Sequence, residues 1–490
     1  MSLYKKADDL IPWCAAPFIL FNIGLLFYFA LYRYINVDEF EHLYSAWNVY
    51  RGEIPFKDFF EHHNLLFMYL LAPLFSYVEE GTAIIIVSRL FMLLFTLGTL
   101  YLVFLFAEKM YNSSVAWISC LSLTSISIYV DSCMEVRPDI PETFFGVASF
   151  YLLYKWTEKP RPIMLVFSGV LFFISFLFLQ KALFFFPALL ALIIIYVWEK
   201  PFMEKVKALA YFFSGMLPLL VLLGIYLLYF DVVKEYFALN FLLNLVLLGT
   251  VEQSATLEFP FYDTVFLQNT LVWTFGLLGI VSIFFQEGRK RFFLIVPFLL
   301  LAFFILFSQR PYRQYYMMLF PFLVIAASGL LTPLIKLFIE GKKPVVTISL
   351  ISACFVVLSG QPVYSNLTNN LKYDNTFALK KTQFILDNTG EKDTVFLKRR
   401  RWNIYRKNIR ESWFKKKDLP PILSSLGMKY DEMNDTTKII SFLPKVVHRR
   451  EINPRLRGKL INVYGYTEYP YYDFLLFNED NFLRMYANIK

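Results

Sequence analysis

Between Asn36 and Leu66 the chain reads NVDEFEHLYSAWNVYRGEIPFKDFFEHHNLL, and three of its four histidines fall in this stretch. Asp38, Glu39, Glu41 and His42 open it, and Asp58, Glu61, His62 and His63 close it. Carboxylates and imidazoles gathered this closely suit proton transfer. They also suit a divalent ion, with His42, His62 and Glu61 as the ligand set beside Asp38 and His63, although the spacing matches no tight metal signature. A solvated acidic loop is the plainer alternative. Leu43, Ala46, Trp47 and Tyr50 recur at helical spacing, which predicts an amphipathic helix along a membrane surface. Arg51-Gly52 should end that helix, and Pro55 should start the next turn.

Three further groups stand out. Arg137-Pro138-Asp139 lies in the run CMEVRPDIPE, where two prolines predict a fixed turn; its charges are either a site or a charge pair that sets topology. Gln180-Lys181 stands between the apolar runs FFISFLFL and ALFFFPALL. A lysine so placed is costly unless it is paired or at an interface, so it either snorkels to the headgroups or binds a phosphate. The turn SQRPYRQYY sets Arg310 and Arg313 among tyrosines, which suits phosphate recognition and equally suits anchoring at an interface. Arg89 opens an apolar run and would join the same cationic group.

The elements that must position these residues are membrane helices. Of 490 residues 57% are apolar and 18% charged, against about 25% charged in soluble domains. Hydrocarbon excludes unpaired backbone groups, so apolar runs of about 20 residues must be helical. Eleven spans are expected, near 11–34, 83–106, 114–131, 141–156, 163–180, 182–198, 207–230, 264–285, 291–308, 315–337 and 344–360. With the N-terminus cytoplasmic, every inside connection is basic, as at Lys155, Lys159 and Arg161 or Arg289, Lys290 and Arg291. The outer segments then include 35–82, 131–140, 231–263, 309–314 and everything after 360. The four cysteines form no CxxC, and none follows residue 360. Residues 361–490 read as a small α/β domain: a helix over 374–388 and strands at 394–397, 438–442 and 460–464. This segment carries the chain's whole positive excess, which suits anionic lipid headgroups; Lys398-Arg-Arg-Arg401 reads as part of that surface and not as a nucleic-acid patch. The chain thus divides into a membrane module, 1–360, with the first outer loop 35–82, and a soluble domain, 361–490. P-loop, dinucleotide, HExxH and GxSxG motifs are absent, which argues against a nucleotide-driven pump or common hydrolase chemistry.

One span, then Asp38-Glu39, then Gly52, Pro55, Asp58, Glu61, His62 and His63 in the pattern GxxPxxDxxEHH, then Ser88-Arg89-Leu90, Arg137-Pro138-Asp139 and Gln180-Lys181-Ala182-Leu183: over residues 10–320 this order resembles the bacterial branch of the dolichyl-phosphate-mannose protein mannosyltransferase and aminoarabinose transferase superfamily. The resemblance implies a GT-C fold, a location in a bacterial cell membrane and an extracytoplasmic C-terminal domain. It implies a polyprenyl-phosphate-linked sugar donor and a lipid, glycan or protein acceptor. It implies Asp38 as general base, Asp139 as second acid, and Lys181, Arg89 and Arg137 as candidates for the donor phosphate, with no required cofactor. His63-Asn64-Leu65-Leu66 replaces the Lys-Pro-Pro-Leu of many relatives, which leaves sugar and acceptor open. A lipid-linked sugar flippase or a glycan polymerase or ligase are the alternatives. A flippase would more often show internal duplication, and a polymerase its long outer loop later in the chain.

Overall fold

The computed structural model describes residues 2–243, 266–307, 313–339, 342–397, 402–409 and 435–487. It is mostly helical. Among the described residues seven helices are long and apolar enough to cross a membrane: Asp9–Tyr32, Ala83–Met110, Gln180–Val197, Phe202–Tyr229, Leu267–Phe284, Phe320–Ile339 and Pro344–Leu371. The other expected spans are helical too. Asp139–Glu158 carries charges at both ends, Pro162–Phe178 has 17 residues and Phe292–Phe307 has 16. The expected span 114–131 is a broken one. Ser113–Ser125 and Ser127–Ser132 are separate helices around Ile126, whose ψ is 120°. The backbone groups freed by the break find side chains. Ser127 N donates to Asn269 Oδ1 at 2.9 Å, and Asn366 Nδ2 donates to Ser125 O at 3.1 Å. Irregular backbone buried among helices needs partners of this kind.

The chain forms two compact units. One comprises Met1–Arg33, Arg89–Asp231 and Leu247–Tyr373; the other comprises Tyr34–Ser88, Val232–Val246 and Asp374–Lys490. In the first, helices meet through small residues. A Cβ on Gly169 would lie 2.0 Å from Phe212 O, and one on Gly215 would lie 1.9 Å from Val166 O, so Pro162–Phe178 and Phe202–Tyr229 touch backbone to backbone.

In the second unit a five-stranded sheet has the order β2-β1-β3-β5-β4. Its strands are β1 Thr394–Phe396, β2 Lys407–Asn408, β3 Val446–His448, β4 Tyr466–Tyr469 and β5 Phe474–Phe477. β1 runs parallel to β2 and β3, and β5 runs antiparallel to β3 and β4. Alternate residues serve two cores. Phe396, Val447 and Leu475 meet Ile439, Leu456 and Leu460, whereas Val395, Val446 and Phe474 meet Ile385.

The helix expected at 374–388 and the strand at 394–397 are present as Thr376–Asp387 and β1. The other two expected strands are helices, Asp435–Phe442 and Pro454–Tyr464. A short apolar run does not reveal its period. The flanks of the second did carry the signal: Asn453 caps it through Leu456 N, Pro454 opens it, and Gly465 closes it at φ 70°.

Candidate active site

Asp38 stands in the first turn of the helix Val37–Tyr50. Asn36 caps that helix. Its side chain accepts from Asp38 N at 3.2 Å, and Glu39 Oε1 accepts from Asn36 N at 2.8 Å. The half-exposed Asp38 carboxylate therefore sits at the positive end of a helix dipole, on a fixed backbone. The helix lies on no surface, contrary to the sequence expectation: every residue from Glu39 to Asn48 is buried. Its polar side is covered by protein groups from the end of the same loop.

Those groups converge on Glu61. Ser45 Oγ donates to its Oε2 at 2.7 Å, and the backbone amides of His62 and His63 reach its Oε1 at 2.9 and 3.1 Å. His63 Nδ1 lies 2.8 Å from the same oxygen. The His62 and His63 rings are 3.9 Å apart, and the His42 ring packs on His63 at 4.9 Å. Burial works against ionisation of Glu61. The His63 hydrogen bond, the charges of His63 and His62, and the Ser45 hydroxyl outweigh it and hold the carboxyl well below the usual range. Burial, followed by the His63 charge, pushes His62 well below its ordinary 6.5 against the opposing pull of Glu61; Asp38 is close enough to act on it as well.

Glu61, His62 and His63 have ligand atoms within 4.8 Å of one another, so His63 takes the place that the sequence reading gave to His42 in a metal set. The rest of the GxxPxxDxxEHH pattern builds the turn. Gly52 takes φ 89°, and Asp58 Oδ2 accepts from Ile54 N at 2.7 Å. Asn64 Oδ1 accepts from Tyr236 Oη at 2.6 Å and from Asn240 Nδ2 at 3.1 Å.

In the other unit, buried charges alternate in sign along a chain of contacts. Arg33 Nη2 meets Glu135 Oε1 at 3.2 Å, and Glu135 Oε2 meets Arg137 Nη1 at 3.3 Å. Arg137 Nε lies 3.5 Å from Asp139 Oδ2, and Asp139 Oδ1 pairs with Lys181 Nζ. Lys181 also stands over the Tyr315 ring at 4.1 Å. Arg33 donates to Asp131 O, and Asn370 Nδ2 donates to Asp131 Oδ1 at 2.8 Å. Arg89 is fully buried and donates to Ala30 O at 3.2 Å and Arg33 O at 3.0 Å. Glu142, one turn beyond Asp139, is fully buried, and neither carboxylate oxygen has a hydrogen-bond partner among the described residues.

Asp139, Arg137 and Lys181 thus form one cluster. Asp38, Glu39, His42, Glu61, His62 and His63 belong to one stretch of the other unit. Arg310 lies outside the described residues, as does the side chain of Arg313, which opens the turn Arg313–Met318. The arginine run 398–401 and residues 244–263 of the outer segment are outside them too. Sequence reasoning passed over Arg33, Asp131 and Glu135. Their cue was faint: an arginine at the end of a span reads as a headgroup anchor.

Residues 62–226 match the family model described as dolichyl-phosphate-mannose-protein mannosyltransferase; the match starts after Asp38. None of the curated proteins matches the chain. Among solved structures, apo ArnT from Cupriavidus metallidurans aligns at a TM-score of 0.60 and 9% identity, over 94% of this chain and 97% of that one. The same protein bound to undecaprenyl phosphate aligns at 0.60 and 9% over 84% and 87%. Archaeoglobus fulgidus oligosaccharyltransferase AglB, in complex with an inhibitory peptide and a dolichol-phosphate, aligns at 0.53 and 11% over 84% and 68%. The chain is a multi-pass membrane protein with the GT-C fold of these enzymes, as the resemblance in the sequence implied.

Proposed function

We propose that this protein is an inverting glycosyltransferase that moves a sugar from a polyprenyl-phosphate carrier to an acceptor hydroxyl on the outer side of a bacterial cell membrane. The observation that carries the reading is the buried Arg137–Asp139–Lys181 cluster in a fold whose solved example ArnT is bound to undecaprenyl phosphate. In the proposed step the acceptor O–H proton passes to the Asp38 carboxylate as the acceptor oxygen bonds to the anomeric carbon. The bond from that carbon to the phosphate oxygen breaks on the opposite face, and its electron pair leaves with the phosphate. A phosphate is a stable anion, so it needs cations and no general acid. Lys181 and Arg137 supply the charge, and Asp139 holds both in place until the phosphate arrives. Arg310 and Arg313 join them on the composition of their turn. Arg89, whose Nη1 donates to Ala30 O and Arg33 O, stands behind Arg33 and adds its charge to the same side of the site.

The step balances without a metal ion; Glu61, His62 and His63 are the residues that would hold one. The acceptor is a lipid, glycan or protein hydroxyl. The C-terminal domain lies on the outer side in this proposal, with the N-terminus in the cytoplasm. Asp38→Asn is expected to lower turnover by about 10²–10⁴-fold in a transfer assay with the purified protein while leaving undecaprenyl phosphate binding intact. Retention of most activity by that variant removes Asp38 as base.

A further inference from the structure

The helix that carries Asp38 is gripped on two sides. At about 100° per residue, Asp38, His42 and Ser45 share one stripe, and Phe40, Tyr44, Trp47 and Arg51 share the roughly opposite one. The first stripe meets Glu61 and His63. The second meets a segment more than 300 residues further along the chain. Asn408 N donates to Tyr44 Oη at 3.2 Å, the Tyr405 ring lies 6.4 Å from that of Trp47 and 5.7 Å from that of Phe75, and Arg51 lies 3.7 Å from Glu391.

That segment is itself tied down. Arg406 Nε donates to Thr389 Oγ1 at 2.9 Å and its Nη2 donates to Thr389 O at 2.8 Å, while its Nη1 pairs with Glu80. Asn403 closes the loop by donating to Arg406 O at 2.7 Å and accepting from Arg406 N at 3.1 Å. Tyr405 Oη donates to Gly81 O at 3.1 Å. A self-closed loop with a buried guanidinium is built to hold a shape, and here it holds both ends of the first outer loop.

We infer that Asn403–Asn408 is a clamp that positions the Asp38 helix, with Tyr405 as the central positioning residue. The inference rests on the reading of Asp38 as base. Its consequence is that the C-terminal domain sets the base without contributing a reacting group. Loosening the clamp displaces the base and leaves the cations that receive the phosphate unchanged.

The test uses the full chain in detergent, with Tyr405→Ala and with Tyr405→Phe, which keeps the ring contacts. Backbone hydrogen exchange over 37–50 is expected to rise at least tenfold in Tyr405→Ala and to stay near wild type in Tyr405→Phe. Turnover of an undecaprenyl-phosphate-linked hexose onto a hydroxyl acceptor is expected to fall at least tenfold in Tyr405→Ala with an unchanged donor KM. Azide is the control nucleophile. It carries no proton, so its attack forms a C–N bond and expels the phosphate with no base. Azide-supported release of undecaprenyl phosphate should therefore be spared in Tyr405→Ala. Unchanged exchange overturns the clamp, and so does an equal fall with hydroxyl and azide, which marks general destabilisation. If Tyr405→Ala does not fold, Tyr44→Phe, which keeps the ring and removes the acceptor of the Asn408 amide, must raise exchange over 37–50, or the clamp is wrong. Normal hydroxyl transfer by Asp38→Asn sinks the base assignment separately, because backbone exchange over 37–50 in the Tyr405 variants does not depend on what the Asp38 carboxylate does chemically.

Discussion

At the scale of single residues, the cluster around Asp139 separates what a charge does for stability from what it does for function. Lys181 and Asp139 are both largely buried and paired with each other. Removing one partner of such a pair leaves the other charge desolvated and costs about 3–5 kcal/mol, whereas removing both is often neutral. Lys181→Met alone and Asp139→Asn alone are expected to lower thermal stability in detergent strongly. The double variant should recover most of it. Under the proposed function it should not recover turnover, because the cation that receives the phosphate is gone. A double variant as inactive as expected but no more stable than the singles would show that the pair is not an isolated unit, with Arg137 and Glu142 taking part. The types of these residues were legible in the sequence, since Lys181 between apolar runs needs a partner. The identity of the partner was not. Asp139 lies 42 positions away and Arg33 lies 102 positions from Glu135, and no local spacing encodes a contact of that length.

At the scale of elements, the first outer loop was the most legible part of the chain. Its residues fold largely on themselves, so the stop at Gly52 was readable from neighbours in sequence, and the cap at Asn36 and the Asp58 side chain that closes the turn after it are local too, although the sequence reading assigned neither role. What could not be read was the burial of its helix, because the groups that cover it come from Glu61–His63 and from Tyr405. The membrane helices were legible by length, and their contacts were less so. Gly169 and Gly215 look like any glycine in an apolar run, yet each permits a backbone approach that a side chain would block. A Cβ on Gly215 would meet Val166 O at 1.9 Å, whereas one on Gly224 of the same helix would meet nothing within 4 Å. Gly215→Ala is expected to destabilise the protein by about 1–3 kcal/mol through overpacking. Gly224→Ala should be neutral or slightly stabilising, since alanine is the better helix former. Midpoints of thermal aggregation for the two variants check this, and equal midpoints would refute the backbone contact.

At the scale of the whole molecule, the C-terminal sheet is where acid is expected to act on the fold. The sheet at the C-terminus is small and is reinforced by an ion network. Asp473, at φ 60°, accepts from Arg449 Nη2 at 3.1 Å and meets Arg450 Nη2 at 3.0 Å, with Lys381 Nζ at 3.9 Å. Glu468 pairs with Arg449 and Arg457. For Asp473 burial works against ionisation, but Arg450, Lys381 and Arg449 outweigh it and hold the carboxyl below its ordinary 3.8. Hydrogen bonds from Arg457 and Arg449 hold Glu468 below 4.5. A carboxyl depressed in the folded state binds its proton later than in the unfolded chain. The stability it contributes is therefore complete above its ordinary value and is lost as pH falls through the depressed one. Protonation would also leave Lys381, Arg449, Arg450 and Arg457 without counter-charge in a segment already rich in basic residues. Hydrogen exchange over Tyr466–Phe477, corrected for intrinsic rates, should thus accelerate between pH 5 and pH 3. Asp473→Asn should start from faster exchange at pH 5 and show a smaller change. If the wild type and Asp473→Asn respond to acid identically, the network does not hold the sheet, and the aromatic packing of Trp402, Phe384 and Phe474 must do so alone.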